Sequence, residues 1–434
     1  MKKIDPNFKV CKTTILNIAP HPNPAVHSLL IATVYGFEVI IGKNSGYTLG
    51  QEVIYMPVNS VLPGLIENHL FPVDSKIKLT KSRIRACKIQ KFVSQGMIAP
   101  WEEIRVLCGL SDFPLETDLQ EELQVVKYYP PSFVRNEGVA KEQKVRKKPL
   151  TNQYFKEYNG CVNIKWEPHA FTEDNIVWIS EKIHGSNWRA GYLPYTVPLI
   201  PVPDFKLLTK LRTTKGFFRS LIPTFDGIWE NAKHILHLTP QYEFCYGSNT
   251  VQRQKRTKSP TWYGADIYAE MCHRFDLKRK LKDYPGYVLY GEIYGPSVQK
   301  GYHYGLENEK KGLVIFDVMY QTSDKQVWLS LEEAHTFCDV LGLEFVPVLY
   351  QGKWNKEIAE KFVTGNSVFA PTQKVREGIV VKNDDLLTLN RKKIKIINPE
   401  YTMKEANDET TDHQEIEGEV DIIQYTGNDG TDDA

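Results

Sequence analysis

One lysine, Lys182, closes an apolar run (Ile176–Ile179) within the string Ser180-Glu181-Lys182-Ile183-His184-Gly185-Ser186-Asn187. An unprotonated lysine amine attacks phosphorus and can hold a nucleotidyl group as a phosphoramidate. To lose its proton it needs burial or neighbouring cations. Gly185, three residues on, would let the backbone turn closely against a nucleotide. Alone, a lysine three residues ahead of a glycine is equally a surface lysine before a turn. The residues that follow change that reading. Glu292 lies in Tyr290-Gly291-Glu292-Ile293-Tyr294-Gly295, at the end of a strand-like run, and Phe316-Asp317-Val318 ends another. Glu377 heads Gly378-Ile379-Val380-Val381-Lys382, and Lys393 and Lys395 fall two residues apart, on one face of a strand. Carboxylates for ribose hydroxyls and a metal, an aromatic for a base and lysines for an α-phosphate are what nucleotidyl transfer requires.

These residues need a scaffold, and the chain divides into parts that can supply one. Residues 1–128 read as β-rich, with strand-like runs at Phe37–Ile41 and Glu52–Met56 separated by turn residues from Gly42 to Gly50. Several short strands of this kind suggest a small barrel of OB type. Lys76–Leu79 and Arg83–Ala86 alternate charged and apolar residues. As strands they would present Lys78, Arg83 and Arg85 to a phosphate backbone, or simply solvate one barrel face. Residues 129–151 form a basic connector containing Lys144, Arg146, Lys147 and Lys148. The second body, 152–403, mixes β runs at Val177–Ile179, Tyr287–Tyr290, Leu313–Phe316 and Gly378–Val381 with helical segments. Ser330 and Glu333 form a capping box and Gly342 a stop, while Asn355–Gly365 is a second helix candidate. The basic stretches Lys206–Arg219 and Arg253–Lys258 are either nucleic-acid contacts or solvated faces.

The bulk properties exclude some classes. At 434 residues the chain has room for two or three domains, and no apolar run is long enough to span a membrane. The start, Met1-Lys2-Lys3-Ile4-Asp5-Pro6, lacks the apolar region of a signal peptide. Seven cysteines, scattered and never spaced as CxxC, argue for a reducing intracellular compartment, cytoplasm or nucleus. The net charge of +1 conceals an asymmetry: residues 405–434 hold eleven acidic residues and no Lys or Arg. Residues 1–404 are therefore strongly basic, as in a polyanion-binding protein, and residues 404–434 read as an acidic, disordered tail.

Taken together, residues 155–403 resemble the covalent nucleotidyltransferases, the family of polynucleotide ligases and mRNA capping enzymes. The Glu-Lys-x-His-Gly-x-Asn form is similar to that of the nick-sealing RNA ligases, whereas DNA ligases and capping enzymes usually show Asp where His184 stands. Pro20-His21-Pro22-Asn23 and Ser94-Gln95-Gly96 resemble the N-terminal OB domain of a subgroup of those ligases. The resemblance implies an α+β fold: an OB-like β-barrel followed by a ligase-type nucleotidyltransferase of ATP-grasp-like antiparallel sheets with flanking helices. It implies Lys182 as nucleophile, Glu181 reading adenine, and His184 and Asn187 around the phosphate and metal. Arg189 joins the nucleotide-binding set, Glu292 grips the ribose and Phe316 stacks on adenine. Glu377 acts with the metal, and Lys393 and Lys395 contact the α-phosphate. The family often carries Arg or His after Gly-Ser in its next motif, where this chain has Gly247-Ser248-Asn249, and Arg253 is a candidate substitute on the nucleic acid.

The implied activity is ATP-dependent joining of a 3′-hydroxyl RNA end to a 5′-phosphate end, through lysyl-AMP and an adenylylated strand, in RNA repair. The implied cofactors are ATP and Mg²⁺ or Mn²⁺, and the expected partner is RNA, as nicked duplex or paired ends. We expect no membrane association and a monomer. Three rivals stay open. A GTP-using capping enzyme would use the same lysine, but His184 speaks against it. A DNA ligase is disfavoured by the short region after Lys395. An inactive, ligase-like RNA-binding protein is kept in play by Asn249.

Overall fold

In a computed structural model of the chain, the described residues are 5–75, 78–90, 92–128, 152–194, 242–253, 265–299, 301–308, 310–321, 326–383 and 391–402. The N-terminal half carries ten short strands: β1 (Cys11–Thr14), β2 (Asn17–Pro20), β3 (Leu29–Val34), β4 (Phe37–Gly42), β5 (Glu52–Met56), β6 (Ser60–Val61), β7 (Cys87–Ile89), β8 (Phe92–Ser94), β9 (Met97–Pro100) and β10 (Val126–Lys127). They pair as β1-β5-β9, β2-β3-β4, β6-β10 and β7-β8, all antiparallel. The β-rich reading holds. Among the described residues, however, these sheets do not close into one hydrogen-bonded barrel. The nearest approach to closure is the side-by-side run of β4 and β8, linked by Ile40 N–H to Ser94 Oγ.

Lys76 and Ile77 lie outside the described residues, and among the described residues the expected cationic strands around residue 80 do not form. Thr80–Ser82 is a single 3₁₀ turn, and only Arg83 makes an isolated bridge, to Val61. Lys81 and Ser82 both sit at left-handed φ, 55° and 57°, which breaks an extended run. Ile84 still faces the core, at 4% exposure, so the alternation was real but too short to build a sheet.

The C-terminal half continues with β11 (Val162–Asn163), β12 (Ile176–Lys182), β13 (Ser186–Pro194), β14 (Tyr242–Ser248), β15 (Gln252–Arg253), β16 (Tyr287–Tyr294), β17 (Gly312–Gln321), β18 (Gln326–Trp328), β19 (Glu344–Phe345), β20 (Val348–Lys353), β21 (Gly378–Asn383) and β22 (Lys393–Ile397). One sheet has the order β11-β22-β21-β12-β20, the other β15-β14-β13-β16-β17-β18, with β19 parallel to β17. Most of these strands are rich in Val, Ile and aromatic residues, which suit a pleated, packed surface. The main core joins Trp178 of the first sheet to Trp188, Leu289 and Val314 of the second. The helix Leu331–Leu341 packs on this core with Leu331, Ala334 and Phe337 inward. Its ends are those read from the sequence: the Ser330–Glu333 capping box is made, and Gly342 takes the left-handed conformation. Asn355 likewise caps the helix Lys356–Lys361.

Strand register sets the working face. Residues two apart on β12 point the same way, so Trp178, Ser180 and Lys182 share a face. Opposite them on β21 stand Lys382, Val380 and Gly378. Beyond those on β22 stand Lys393, Lys395 and Ile397. Lys395 is thus one register step from Lys182 along the strands, and Lys393 two.

The two halves share packing. Asn7 accepts from Asn163 N–H and donates to the Cys161 carbonyl, and Trp166 Nε1–H donates to the Asn7 carbonyl. Trp166 joins a core cluster whose other buried members are N-terminal residues, including Val34, Val53 and Tyr55, and Val162 packs against it. The segment so held forms β11, which pairs in parallel with β22 at Asn163 and Lys395.

Candidate active site

The turn from β12 to β13 brings the motif residues together. Lys182 Nζ lies 2.7 Å from Glu377 Oε1, and His184 Nδ1 lies 3.7 Å from the other carboxylate oxygen. Glu377 is placed by the register, since it immediately precedes Gly378, the partner of Lys182. A Cβ at Gly378 would stand 2.2 Å from the Ile396 carbonyl, so only glycine fits beside β22. Gly185 is needed for a similar reason, and not the one expected. A Cβ there would meet the Ile293 carbonyl at 2.1 Å and Glu292 Cγ at 3.0 Å. The close approach is between protein strands, and it sets Glu292 beside the turn that follows the lysine. Asn187 is the direct cross-strand partner of Glu292.

His184 is buried, at 8% exposure, in a nest of tyrosines that the sequence did not announce. Its backbone N–H donates to Tyr304 Oη, and its ring makes edge contacts with Tyr302 and Tyr401. Tyr401 Oη lies 3.2 Å from Nδ1. Burial raises the Tyr304 hydroxyl pKa well above its ordinary range, with Glu377 adding to the rise, so Tyr304 stays a neutral hydroxyl.

At the other end of the same face, Asp317 is fully buried and engages three partners. It accepts from Tyr158 Oη at 2.9 Å, Lys382 Nζ at 3.0 Å and Arg391 Nη1 at 2.7 Å. Burial alone would raise the Asp317 pKa, but Lys382, Arg391 and Lys393 outweigh it and hold the carboxyl below its usual value. Lys393 stacks over the Tyr158 ring at 3.4 Å, and burial pulls its pKa down to about 8. Phe316 is half-buried, edge-on to Tyr158, with its carbonyl accepting from Lys382 Nζ at 2.6 Å.

Several expected residues are placed elsewhere. Glu181 falls on the opposite face of β12 from Lys182 and accepts from the Val368 and Phe369 N–H groups, so it anchors the 367–370 loop. Arg189 is 1% exposed, bonded to the Ser248 and Phe155 carbonyls and stacked on the Phe155 ring. Its guanidinium ties strands together and is not brought to Lys182. Arg253, expected on the nucleic acid, is 3% exposed and packs over Tyr268. Asn249 grips both backbone groups of Tyr158, through Oδ1 and Nδ2, and so seats the ring under Lys393. In the N-terminal half, Arg83 is engaged by Asn59 Oδ1 and the Tyr128 ring, while Lys78 and Arg85 are exposed. The basic connector, the Lys206–Arg219 stretch and the acidic tail lie outside the described residues.

The oxygen donors suit a hard cation. Among the described residues, Asn187 Oδ1 and Glu377 Oε2 are buried and accept no hydrogen bond. Among the described residues no cluster of three or more His, Cys, Asp and Glu could enclose a metal. A divalent ion here would keep water and substrate phosphate in its shell, as Mg²⁺ commonly does.

The family model described as RNA ligase matches residues 175–397, just over half of the chain. The chain belongs to the RNA ligase family. RNA is therefore its substrate class, and phosphodiester joining its class of chemistry. No curated protein matches this RNA ligase by sequence. Among solved structures it is similar to the RNA ligase of Naegleria gruberi. A ligand-free point variant of that enzyme gives a TM-score of 0.62 at 17% identity, covering 93% of this chain and 99% of that one. Its complex with PPi gives 0.62 at 16%, covering 94% and 100%. A variant with AMP and Mn gives 0.61 at 16%, covering 92% and 99%. At this identity the likeness establishes the shared fold. Among the described residues, no helix of this RNA ligase is long and apolar enough to cross a membrane.

Proposed function

We propose that this RNA ligase seals a 3′-hydroxyl RNA end to a 5′-phosphate end using ATP, with Lys182 carrying AMP between steps. The observation that carries the reading is the meeting of Lys182, Glu377 and His184 beside Glu292 at a single strand turn. Support also comes from the Naegleria gruberi ligase, whose structures include AMP with Mn and ATP with Mn.

In the first step the Lys182 amine bonds to the α-phosphorus of ATP, and pyrophosphate leaves with the electron pair of the broken anhydride bond. An oxygen of the RNA 5′-phosphate then attacks the same phosphorus, and the Lys182 nitrogen leaves. Finally the 3′-hydroxyl attacks the 5′-phosphorus and AMP departs. Each step is a displacement at phosphorus, in which positioning and charge neutralisation supply most of the rate. Glu377 pairs with the lysine at rest and must release it for attack. Glu377 and Asn187 would hold a divalent cation, which supplies charge neutralisation at the phosphate when bound. Glu292 takes ribose hydroxyls, Phe316 stacks on adenine, and Lys395 neutralises the α-phosphate with Lys393 one step behind. His184, held by tyrosines, orders Glu377. Lys78 and Arg85 offer exposed cations to RNA phosphates, in keeping with residues 1–128 as an OB-like nucleic-acid-binding domain ahead of an adenylyltransferase domain at 152–403.

The test is labelling with α-radiolabelled ATP and Mg²⁺, then with GTP, for the parent chain and Lys182→Ala. We expect label on the parent from ATP only and none on Lys182→Ala. No label on the parent would leave an inactive RNA binder, and label surviving in the mutant would mean another nucleophile. A nicked duplex ending in ribose or deoxyribose then tests the preference for RNA.

A further inference from the structure

The strand that carries Lys395 is flanked on one side by a segment that the N-terminal half holds in place. β22 lies between β21 and β11. Beside Lys395, β21 offers Val380 and β11 offers Asn163, and Ile164 N–H donates to the Lys395 carbonyl at 3.0 Å. β11 is only two residues long and is outermost in its sheet. A strand so short does not keep a register by itself. One side chain takes up its outer edge. The Asn7 amide accepts from Asn163 N–H at 2.9 Å and donates to the Cys161 carbonyl at 3.3 Å. Backbone groups two residues apart point to the same edge of a strand, so Cys161 and Asn163 face away from β22 while Ile164 faces it. Asn7 thus does for β11 what a further strand would do. Asn7 is itself anchored: its N–H donates to Asp5 Oδ1 at 2.9 Å, and its carbonyl accepts from Trp166 Nε1–H at 3.2 Å. Just beyond β11, Lys165 Nζ donates to Gln95 Oε1 at 2.6 Å, a second tie to the N-terminal half.

We propose that Asn7 is a positioning residue for Lys395, acting through β11. The proposal rests on the reading that Lys395 neutralises the α-phosphate. In this role Asn7 makes no contact with the nucleotide. It fixes the outer edge of β11, β11 fixes β22 at the Lys395 carbonyl, and the ammonium is carried by that backbone. Each of the two Asn7 hydrogen bonds is worth only about 1 kcal/mol of stability. A displacement of about 1 Å in a catalytic group, by contrast, costs on the order of 100-fold in rate. The loss of Asn7 should therefore show in the speed of lysyl-AMP formation before it shows in folding.

The experiment is single-turnover labelling of the full chain with ATP and Mg²⁺, reading amplitude and rate constant separately. The proteins are the parent, Asn7→Ala, Asn7→Asp, Lys395→Ala and the double variant Asn7→Ala with Lys395→Ala. Amplitude counts the competent fraction, so a merely structural role would lower it and leave the rate constant alone. We expect Asn7→Ala to lower the rate constant at saturating ATP by about tenfold, with KM for ATP within about twofold of the parent. Asn7→Asp keeps the acceptor for Asn163 N–H and should recover part of that loss, and it keeps the test readable if Asn7→Ala folds poorly. On top of Lys395→Ala, Asn7→Ala should slow labelling by less than about twofold more. A parent-like rate constant in both Asn7 variants, or the same tenfold loss with and without Lys395, would overturn the proposal and leave the role of Lys395 standing. A parent that does not label, or Lys395→Ala labelling at the parent's rate, would remove the reading of Lys395 and the proposal with it.

Discussion

The two ends of the β12–β21–β22 face hold similar residue types in opposite states. At the Lys182 end, the ion pair with Glu377 is partly open, with the lysine side chain 22% exposed, and among the described residues Glu377 Oε2 and Asn187 Oδ1 accept no hydrogen bond. At the Lys393 end, Asp317 is closed, with both oxygens engaged by Tyr158, Lys382 and Arg391. One end is built to exchange partners and the other to keep them. Charge at the first should matter for turnover, and charge at the second for folding. Lys393 crosses that division: it sits at the closed end and rests on the Tyr158 and Trp328 rings.

The largest expected effect is at the closed end. Asp317→Asn leaves Lys382 and Arg391 buried without a counter-charge and should cost about 3–5 kcal/mol in denaturant unfolding. An intact, stable Asp317→Asn protein would mean that the network is not structural. At the open end, Glu377→Gln should lower the rate of lysyl-AMP formation by about 100-fold while shifting stability by less than about 1 kcal/mol. A loss of folding without a selective loss of labelling would erase the contrast.

Lys393 sharpens it through pH. Its folded pKa is about 8, below the ordinary 10.5, so between those values the unfolded chain binds more protons than the folded one. Its contribution therefore destabilises fully below pH 8 and is relieved as pH rises toward 10.5. We expect Lys393→Met to flatten the pH dependence of unfolding in that window, by roughly 1–3 kcal/mol across it. An unchanged slope would mean the ammonium is better solvated than its burial indicates. The smallest effect is at Tyr401. Tyr401→Phe keeps the ring and removes the hydroxyl beside His184 Nδ1, and should slow labelling a few-fold, about 1 kcal/mol. In a His184→Ala background the same change should do nothing, and a cycle that comes out additive would separate the two residues.

The sequence was most legible where function and local pattern coincide. Lys182, Glu377 and His184 announce themselves within short motifs, next to short, near-continuous apolar runs. It was least legible where partners are far apart in the chain. Tyr158 reaches Asp317 across 159 positions and Tyr401 reaches His184 across 217, and neither tyrosine has a local signature. A signal for the Asp317 network did exist: a lone acid inside Leu313–Gln321 and a lone lysine at the end of Gly378–Lys382 are charges in buried strands, and such charges need partners. Arg189 and Arg253 misled for the converse reason. An arginine near a motif looks like a ligand contact, yet its guanidinium can equally satisfy backbone carbonyls or cover a ring. The alternating charges near residue 80 suggested strands, but two left-handed residues turn the chain first.

The docking of Trp166 and Asn163 against the N-terminal half has a practical consequence for anyone who cuts this molecule in two. A fragment starting beyond β11 would strip the outermost strand from the five-stranded sheet and bare the backbone amides and carbonyls of β22 as a sticky border. The severed N-terminal piece would lose an indole from its own interior. Each half, expressed alone, is expected to clump unless the cut leaves 161–167 with a mate.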